Sequence, residues 1–476
     1  MAKRKRTEIS ETAPATVTVP MKKVKSVSAP AKEPVTIQIV AGSYDRILHG
    51  VTATISPSNE VHFADTFLFN AHTSAIRCLA LSPVSAPVPK QSRKIILASG
   101  STDERINLYH LSAHAPSKIT VPVIPSLTSK AVVENPQNRE LGSLLHHSST
   151  VTALYFPNRS KLLSSAEDST IAVTRTRDWT LLSTIKAPIP KPVGRPSGDT
   201  APLGGAPSGV NDFAVHPSMK LMISVGKGEK SMRLWNLVTG KKAGVLNFDR
   251  GMLAEAGEGK HSSGEGRKVA WGSTDAGEEF CVGFERGALI FGMDSKPKCK
   301  ITPEPRSKIH ALCYIQVGED DDVQVLATST EDGRLLFYST RPGDLVTAEA
   351  AEGKAAPLPS AKLTAQLGGK GVQLSGRIKD FTVLNVGEGA SKEFIIVAGG
   401  SDGALRLWRL ASKDLAAHNG QTKQIGKLLG TYETTNRITC LQAFVMLPKM
   451  EGDEIEDIKD FEGLEDDAEA SSSDSE

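Results

Sequence analysis

Two sets of residues in this 476-residue chain have types that could do chemistry. The first lies in SVGKGEKSMRLWNL, Ser224 to Leu237, where Gly226, Lys227, Gly228 and Lys230 are the residue types of a phosphate-cradling loop. Such a loop ends in Gly-Lys-Ser/Thr and opens a helix whose amides point at the anion. Here Glu229 and Lys230 precede Ser231, and the following MRLWNL alternates like a strand, so spacing and context both fail. A turn between two strands is expected instead. The second set is His72, Ser99 and Asp103, which invites a reading as base, nucleophile and orienting acid. The same trio recurs as His147, Ser164 and Asp168. An active site would occur once, so the repeated trio is expected to be a structural network, which specifies a fold when every member is satisfied. No paired carboxylates or nucleophile elbow stand out elsewhere. Cys78, Cys281, Cys299, Cys313 and Cys440 are scattered, with no Cys-x-x-Cys and no metal spacing. Neither enzyme activity nor a cofactor or metal is expected.

The elements that must position these residues are repeats. LASGSTDERINLYHL (97–111), LSSAEDSTIAVTRT (163–176), FCVGFERGALIFGM (280–293), LATSTEDGRLLFYST (326–340) and VAGGSDGALRLWRL (397–410) share the pattern of the opening stretch, and IVAGSYDRILHG from Ile39 is a degenerate copy. Each has an apolar entry, small residues, an acidic or glycine turn, then alternating apolar positions. The turn acids are Asp45, Asp103, Asp168, Glu229, Glu285, Asp332 and Asp402. Most units end on an aromatic, namely Tyr109, Trp235, Phe291, Tyr338 or Trp408, with Thr174 at that position in the third. The unit is two antiparallel strands around a tight turn, in which an Asp side chain caps amides and the alternation buries one strand face. Several copies are preceded by a further alternating strand, such as AHTSAIRCLALSP and HHSSTVTALYFPN. Seven copies, none able to bury its face alone, imply stacked blades around one core. The last strand pattern, at 438–447, has no turn unit after it, and the first unit has no strand before it. Joined, they complete a blade and close the ring, which removes sheet edges.

This order resembles the WD-repeat family, whose four-stranded blades begin near Gly-His and end near Trp-Asp. On that resemblance His72, Ser99, Asp103 and Tyr109 match the family's His–Ser–Asp–Trp network, with Tyr in the Trp place, and His147, Ser164 and Asp168 match it again. Asp332, Asp402 and Trp408 fall at corresponding positions. Strict Trp-Asp dipeptides are absent. The first unit VTIQIVAGSYDRILHGV, the fourth unit SVGKGEKSMRLWNLVTGKKA, the basic start and the acidic, serine-ended finish look like one group. It is the nuclear WD-repeat group that includes the fungal maintenance-of-killer ribosome assembly factor and the animal inhibitor of p21-activated kinases. The resemblance covers roughly residues 34–448. It implies an all-β, seven-bladed propeller and a scaffold role in large (60S) subunit assembly and pre-rRNA processing in the nucleolus. The partners it implies are the pre-60S particle with its assembly factors and ribosomal proteins. The alternative is a signalling adaptor that regulates a p21-activated protein kinase. A ubiquitin-ligase substrate receptor would want a docking element outside the propeller, and none stands out.

Charge is distributed unevenly. Net charge is +5 over 1–33, −12 over 451–476 and +9 between, against +2 for the whole chain. Lys3, Arg4, Lys5, Arg6 and then Lys22, Lys23 and Lys25 form two basic clusters that suit an import receptor, hence a nuclear location, or contact with RNA phosphates. The alternative is a solvated arm. The acidic tail from 449 is expected to stay disordered through self-repulsion. Ser471 and Ser473 each have an acid three positions later, a context for an acid-directed kinase. The inserts 113–139, 187–209, 250–266 and 341–360 show no core-forming pattern and are expected as mobile loops. No secretory signal is apparent and no apolar run approaches 18 residues, so a reducing compartment, no membrane span and a monomer within a larger complex are expected.

Overall fold

The computed structural model describes residues 34–88, 92–115, 123–124, 132–189, 208–318, 324–347, 357–369, 376–387, 392–415 and 423–448. Met1–Glu33 is a separate unit and lies outside the described residues, as do 449–476. Among the described residues from Pro34 onward the chain forms seven sheets, and six of them take their four main strands, from the channel outward, in chain order. The exception closes the ring. In the first blade Ile438–Val445 pairs with Val35–Ser43, followed outward by Ile47–Ile55 and Val61–Asn70. The register runs from Ile37 opposite Val445 to Gly42 opposite Cys440. The innermost strands of the other blades are Ile76–Leu81, Val151–Asn158, Val210–Val215, Lys268–Thr274, Ile309–Gln316 and Ile378–Asn385. Together with Ile438–Val445 they touch one another in a closed circuit around a central channel.

The core is seven apolar layers, one between each pair of neighbouring blades. Adjacent residues on a strand point to opposite faces. Ile39 therefore packs towards the seventh blade with Ile395 and Val397, while Val40 packs towards the second with Ile76 and Leu97. Both are fully buried. The expectation of one buried face thus fails for the middle strands, because each blade is sandwiched between two others. It fits the outermost strands better, such as Lys241–Asn247, which is largely exposed.

The turns behave uniformly. The residue after the turn acid has positive φ in five blades, at Arg46, Glu104, Ser169, Gly333 and Gly403. Glycine suits this left-handed region, and at Gly403 a Cβ would also meet the Asn436 carbonyl oxygen at 2.9 Å. The fourth blade holds one residue more between its last paired positions, Val225 opposite Met232, than the second, Gly100 opposite Ile106.

The inserts depart from the expectation of mobile loops. Residues 250–266 contain a helix, Arg250–Glu255, capped where the Met252 amide donates to Asp249 Oδ1. Leu253 and Ala256 are buried in the layer between the fourth and fifth blades, and Gly257 takes positive φ just past the end. The signal was present: an Asp N-cap, apolar residues three apart and a terminal Gly. Val123–Ile124 and Val132–Val133, within 113–139, add to the outer edge of the first blade. In 341–360, Pro342–Asp344 forms a single 3-10 turn and Val346 bridges to Ser360. Such short pairings carry no sequence period, so the neighbouring strand decides them. Of 187–209, residues 190–207 lie outside the described residues.

Candidate functional site

The turns between second and third strands gather at one end of the channel. In the second blade Asp103 sits at such a turn and His72 on the connection entering the blade. His72 Nδ1 lies 3.1 Å from both Asp103 oxygens, and its Nε2 lies 2.8 Å from Ser99 Oγ. Asp103 also accepts from the Thr73 and Arg105 amides. Burial holds His72 below its ordinary pKa against the pull of Asp103, so the ring is neutral near pH 7. Burial alone would raise the Asp103 carboxyl, but the Thr73 amide and the His72 ring outweigh it and hold it below the usual range. In the third blade His147 contacts Asp168 at 3.1 Å and Ser164 at 2.8 Å. Asp168 falls to about 2, since the His147 and Thr170 side chains together overcome its burial. Ser99 and Ser164 are fully buried. No substrate can reach those hydroxyls, so the geometry is that of a fold network.

The other blades replace the histidine. Glu229 takes two donors from Arg233 in the fourth, where Trp235 Nε1 donates to Ser224 Oγ at 2.8 Å. Tyr109 stands opposite Leu97 in the register where Trp235 stands opposite Met222, so it does occupy the Trp position. There its ring packs edge-on against Phe69 at 5.6 Å. Thr174 holds that position in the third blade, with its hydroxyl buried and unpartnered. In the sixth, Asp332 pairs with Arg334 at 2.7 Å, and in the seventh Asp402 pairs with Arg406 at 2.6 Å. Trp408 is buried against the sixth blade. Glu285 in the fifth pairs outward with Lys308 at 2.6 Å and Arg267 at 3.3 Å. Its turn amides, of Glu285 and Arg286, donate to Glu258 from the 250–266 insert instead. Lys227 of the opening stretch reaches Glu167 of the third blade at 3.2 Å, and the Gly228 amide donates to Glu265. Those glycines and lysines serve a turn.

Two buried sites had no counterpart among the candidates read from sequence. Glu279, on the fifth blade and fully buried, meets Lys298 at 2.7 Å and accepts from the hydroxyls of Tyr314 and Thr340 in the sixth. Asp65 accepts from Tyr432 of the seventh blade and contacts His49 at 2.6 Å. Both tie neighbouring blades. A carboxylate abutting an apolar run, as Glu279 does in GEEFCVGF, was the only signal.

The channel encloses about 660 Å³ and is lined from all seven innermost strands. In six of them the register slips near the turn end, leaving an extra residue at Arg77, Thr152, Asn211, Lys379, Thr439 and around His310. Such a bulge re-aims a side chain. Three of these residues staple one blade to the next. Thr152 donates to the Val210 carbonyl at 2.6 Å, Asn211 to Gly266 at 2.9 Å and Thr439 to Ile76 at 2.7 Å. Among the described residues no group of three or more His, Cys, Asp or Glu could hold a metal, and no helix is long and apolar enough to cross a membrane. Lys3, Arg4, Lys5, Arg6, Lys22, Lys23, Lys25, Ser471 and Ser473 all lie outside the described residues.

Comparison with known proteins agrees with this architecture. A family model described as WD domain, G-beta repeat matches residues 138–173. That span is the outer strand of the second blade followed by the three inner strands of the third. The p21-activated protein kinase-interacting protein 1-like of Danio rerio is 26% identical over 407 residues, 85% of this chain and 80% of its own. Protein MAK11 of Saccharomyces cerevisiae is 25% identical over 429 residues, 85% of this chain and 82% of its own. Shk1 kinase-binding protein 15 of Schizosaccharomyces pombe is 25% identical over 308 residues, 64% of this chain and 69% of its own. A closed ring of seven blades, a matched repeat straddling two of them and likeness along most of the length make the chain a WD-repeat propeller similar to Protein MAK11 and the p21-activated protein kinase-interacting proteins.

Proposed function

We propose that this protein is a non-catalytic scaffold for nucleolar assembly of the large ribosomal subunit and for pre-rRNA processing. The observation that carries the reading is the likeness to Protein MAK11 across nearly the whole propeller. The buried Ser99 and Ser164 support the absence of catalysis. A body of net charge +9 favours partners in an RNA-rich particle through phosphate contacts, and Lys3–Arg6 with Lys22–Lys25 would take the protein to the nucleus. The test is depletion followed by sucrose-gradient profiling. Free large subunits and their RNA precursors should fall while small-subunit maturation continues. Equal loss of both subunits would sink the reading.

A second reading has its own support, since two groups of relatives carry kinase-binding names. Under it the propeller regulates a p21-activated kinase. Normal subunit ratios after depletion, together with raised activity of the bound kinase, would favour it over assembly.

A further inference from the structure

The bulged residues at the channel mouth divide into two arcs. Thr152 and Asn211, on the third and fourth blades, spend their side chains on the next blade. In the fifth, Lys268 stands unbulged opposite Gly283 and lies 3.7 Å from Asp212. On the other side, the sixth, seventh and second blades place His310, Lys379 and Arg77 at the same level. Among the described residues none of these three side chains has a hydrogen bond or an ion pair, and His310 Nε2 is buried without a partner. The first blade sits between the seventh and second. There Thr439 makes its staple, and Arg437 lies over the half-exposed Tyr44 ring at 5.5 Å with no carboxylate on its guanidinium. Four cationic or imidazole groups therefore form a half-ring whose fold-derived bonds are already complete without them.

The electrostatics agree. Burial lowers the Lys379 ammonium pKa, and Arg377, Arg437 and Lys308 lower it further, against a smaller opposing pull from Glu331. Burial brings His310 to about 4, with Lys379 and Arg377 adding to it. Arg377 and Lys308 are occupied by Glu331 and Glu285. Asp380, which also lines the channel, is used by the amides of Leu441 and Phe381. Lys379 is a partly buried ammonium with no ion pair, which is costly, and Arg77 and Arg437 stand exposed at the same mouth with no ion pair, so the three together are poised for an anion. The anion must enter a recess of about 660 Å³, which admits one or two side chains. A phosphodiester strand has a charge at every nucleotide and would meet Glu167 and Glu265, which line the mouth. A peptide carboxylate, carried at the end of a flexible side chain, can reach past them into the recess.

We infer that the half-ring of His310, Lys379, Arg437 and Arg77 is a receptor for an acidic side chain of a peptide segment in a protein partner, taken up at the turn end of the channel. This goes beyond the assembly reading and does not depend on it. Lys379 and Arg77 supply charge-assisted hydrogen bonds to the carboxylate, Arg437 and Tyr44 flank the peptide backbone, and the His310 ring offers its free nitrogen.

The full-length protein is titrated against a fluorescein-labelled tetraglutamate peptide, its tetraglutamine counterpart and a ten-nucleotide uridine oligomer. Tetraglutamate binding is expected to exceed tetraglutamine binding, and to weaken about tenfold or more in Arg77→Gln/Lys379→Gln, as loss of two charge-assisted bonds implies. Lys227→Ala, on the opposite arc, should leave it unchanged. Because neither Arg77 nor Lys379 has a partner in the fold, the double variant should melt at the wild-type temperature. If it does not, Arg437→Gln alone must still weaken binding. Equal binding of the two peptides, or tetraglutamate binding that survives the double variant, overturns the proposal. So does uridine binding that Arg77 and Lys379 support in preference to the peptide, which would make the mouth a nucleic-acid site.

Discussion

The second and fifth blades fold alike and are held differently. The second closes its turn with His72, Ser99 and Asp103, a polar set within one blade. The fifth lacks that set. Its turn is capped from outside by Glu258, its core is aromatic, with Phe280 stacked on Phe291 at 5.3 Å and Trp271 edge-on to Phe280 at 5.5 Å, and its buried charge, Glu279, bonds into the sixth blade. The difference teaches that the repeat fixes a shape rather than a set of bonds. A blade with local polar closure can be recognised alone. A blade without it borrows its closure from an insert and a neighbour.

The largest expected effect tests that borrowed closure. Lys298→Met leaves Glu279 buried without its counter-charge, and removing one partner of a buried pair costs about 3–5 kcal/mol. Urea unfolding followed by tryptophan fluorescence reads this through Trp271; a loss below about 1 kcal/mol would mean the pair is not a fastening. Next, Asp103→Ala leaves His72 and the Thr73 and Arg105 amides without their acceptor, at about 1–3 kcal/mol. The same urea series should show that loss undiminished when Lys298→Met is already present, because the two sites share no partner.

The acid limb of stability belongs to the local networks. Asp168 titrates at about 2 in the folded protein, below an unfolded Asp near 3.9. Its contribution is therefore present above about pH 4 and lost as pH falls through about 2. Asp168→Asn should lose less stability than wild type between those limits, measured as urea midpoints at each pH. Parallel curves would break the assignment. His72, held neutral by burial, adds an earlier decline. Below about pH 6.5 the unfolded chain binds the proton first.

Smaller effects sharpen the comparison. Trp235→Phe removes the indole bond to Ser224, worth about 0.5–1.5 kcal/mol, and shrinks a buried ring besides. The least is expected from Lys227→Ala, whose ion pair with Glu167 is two-fifths exposed on the lysine side. It should change stability by less than about 0.5 kcal/mol. Nucleotide titration of the wild type should give no binding that depends on Lys227. Micromolar binding lost in this variant would restore the phosphate-loop reading.

What the sequence determined alone is the local unit and its number. A turn acid followed six positions later by an aromatic, as in Asp103 and Tyr109, Glu229 and Trp235, Asp332 and Tyr338 or Asp402 and Trp408, is short-range chemistry. It recurs because each blade solves the same turn, and the orphan strand at 438–447 follows from counting. His72 and His147 were legible because the same His, Ser and Asp trio recurs in two successive repeats. Tertiary structure alone decided the rest. Ile39 and Val40 face two different blades, so both faces of a middle strand are apolar and the two-residue period is hidden. Glu279 was unreadable as a fastening because Tyr314 and Thr340 lie 35 and 61 residues away. The half-ring of His310, Lys379, Arg437 and Arg77 exists only once the ring has closed. Those residues come from four separate blades, and no spacing along the chain records a distance across a channel.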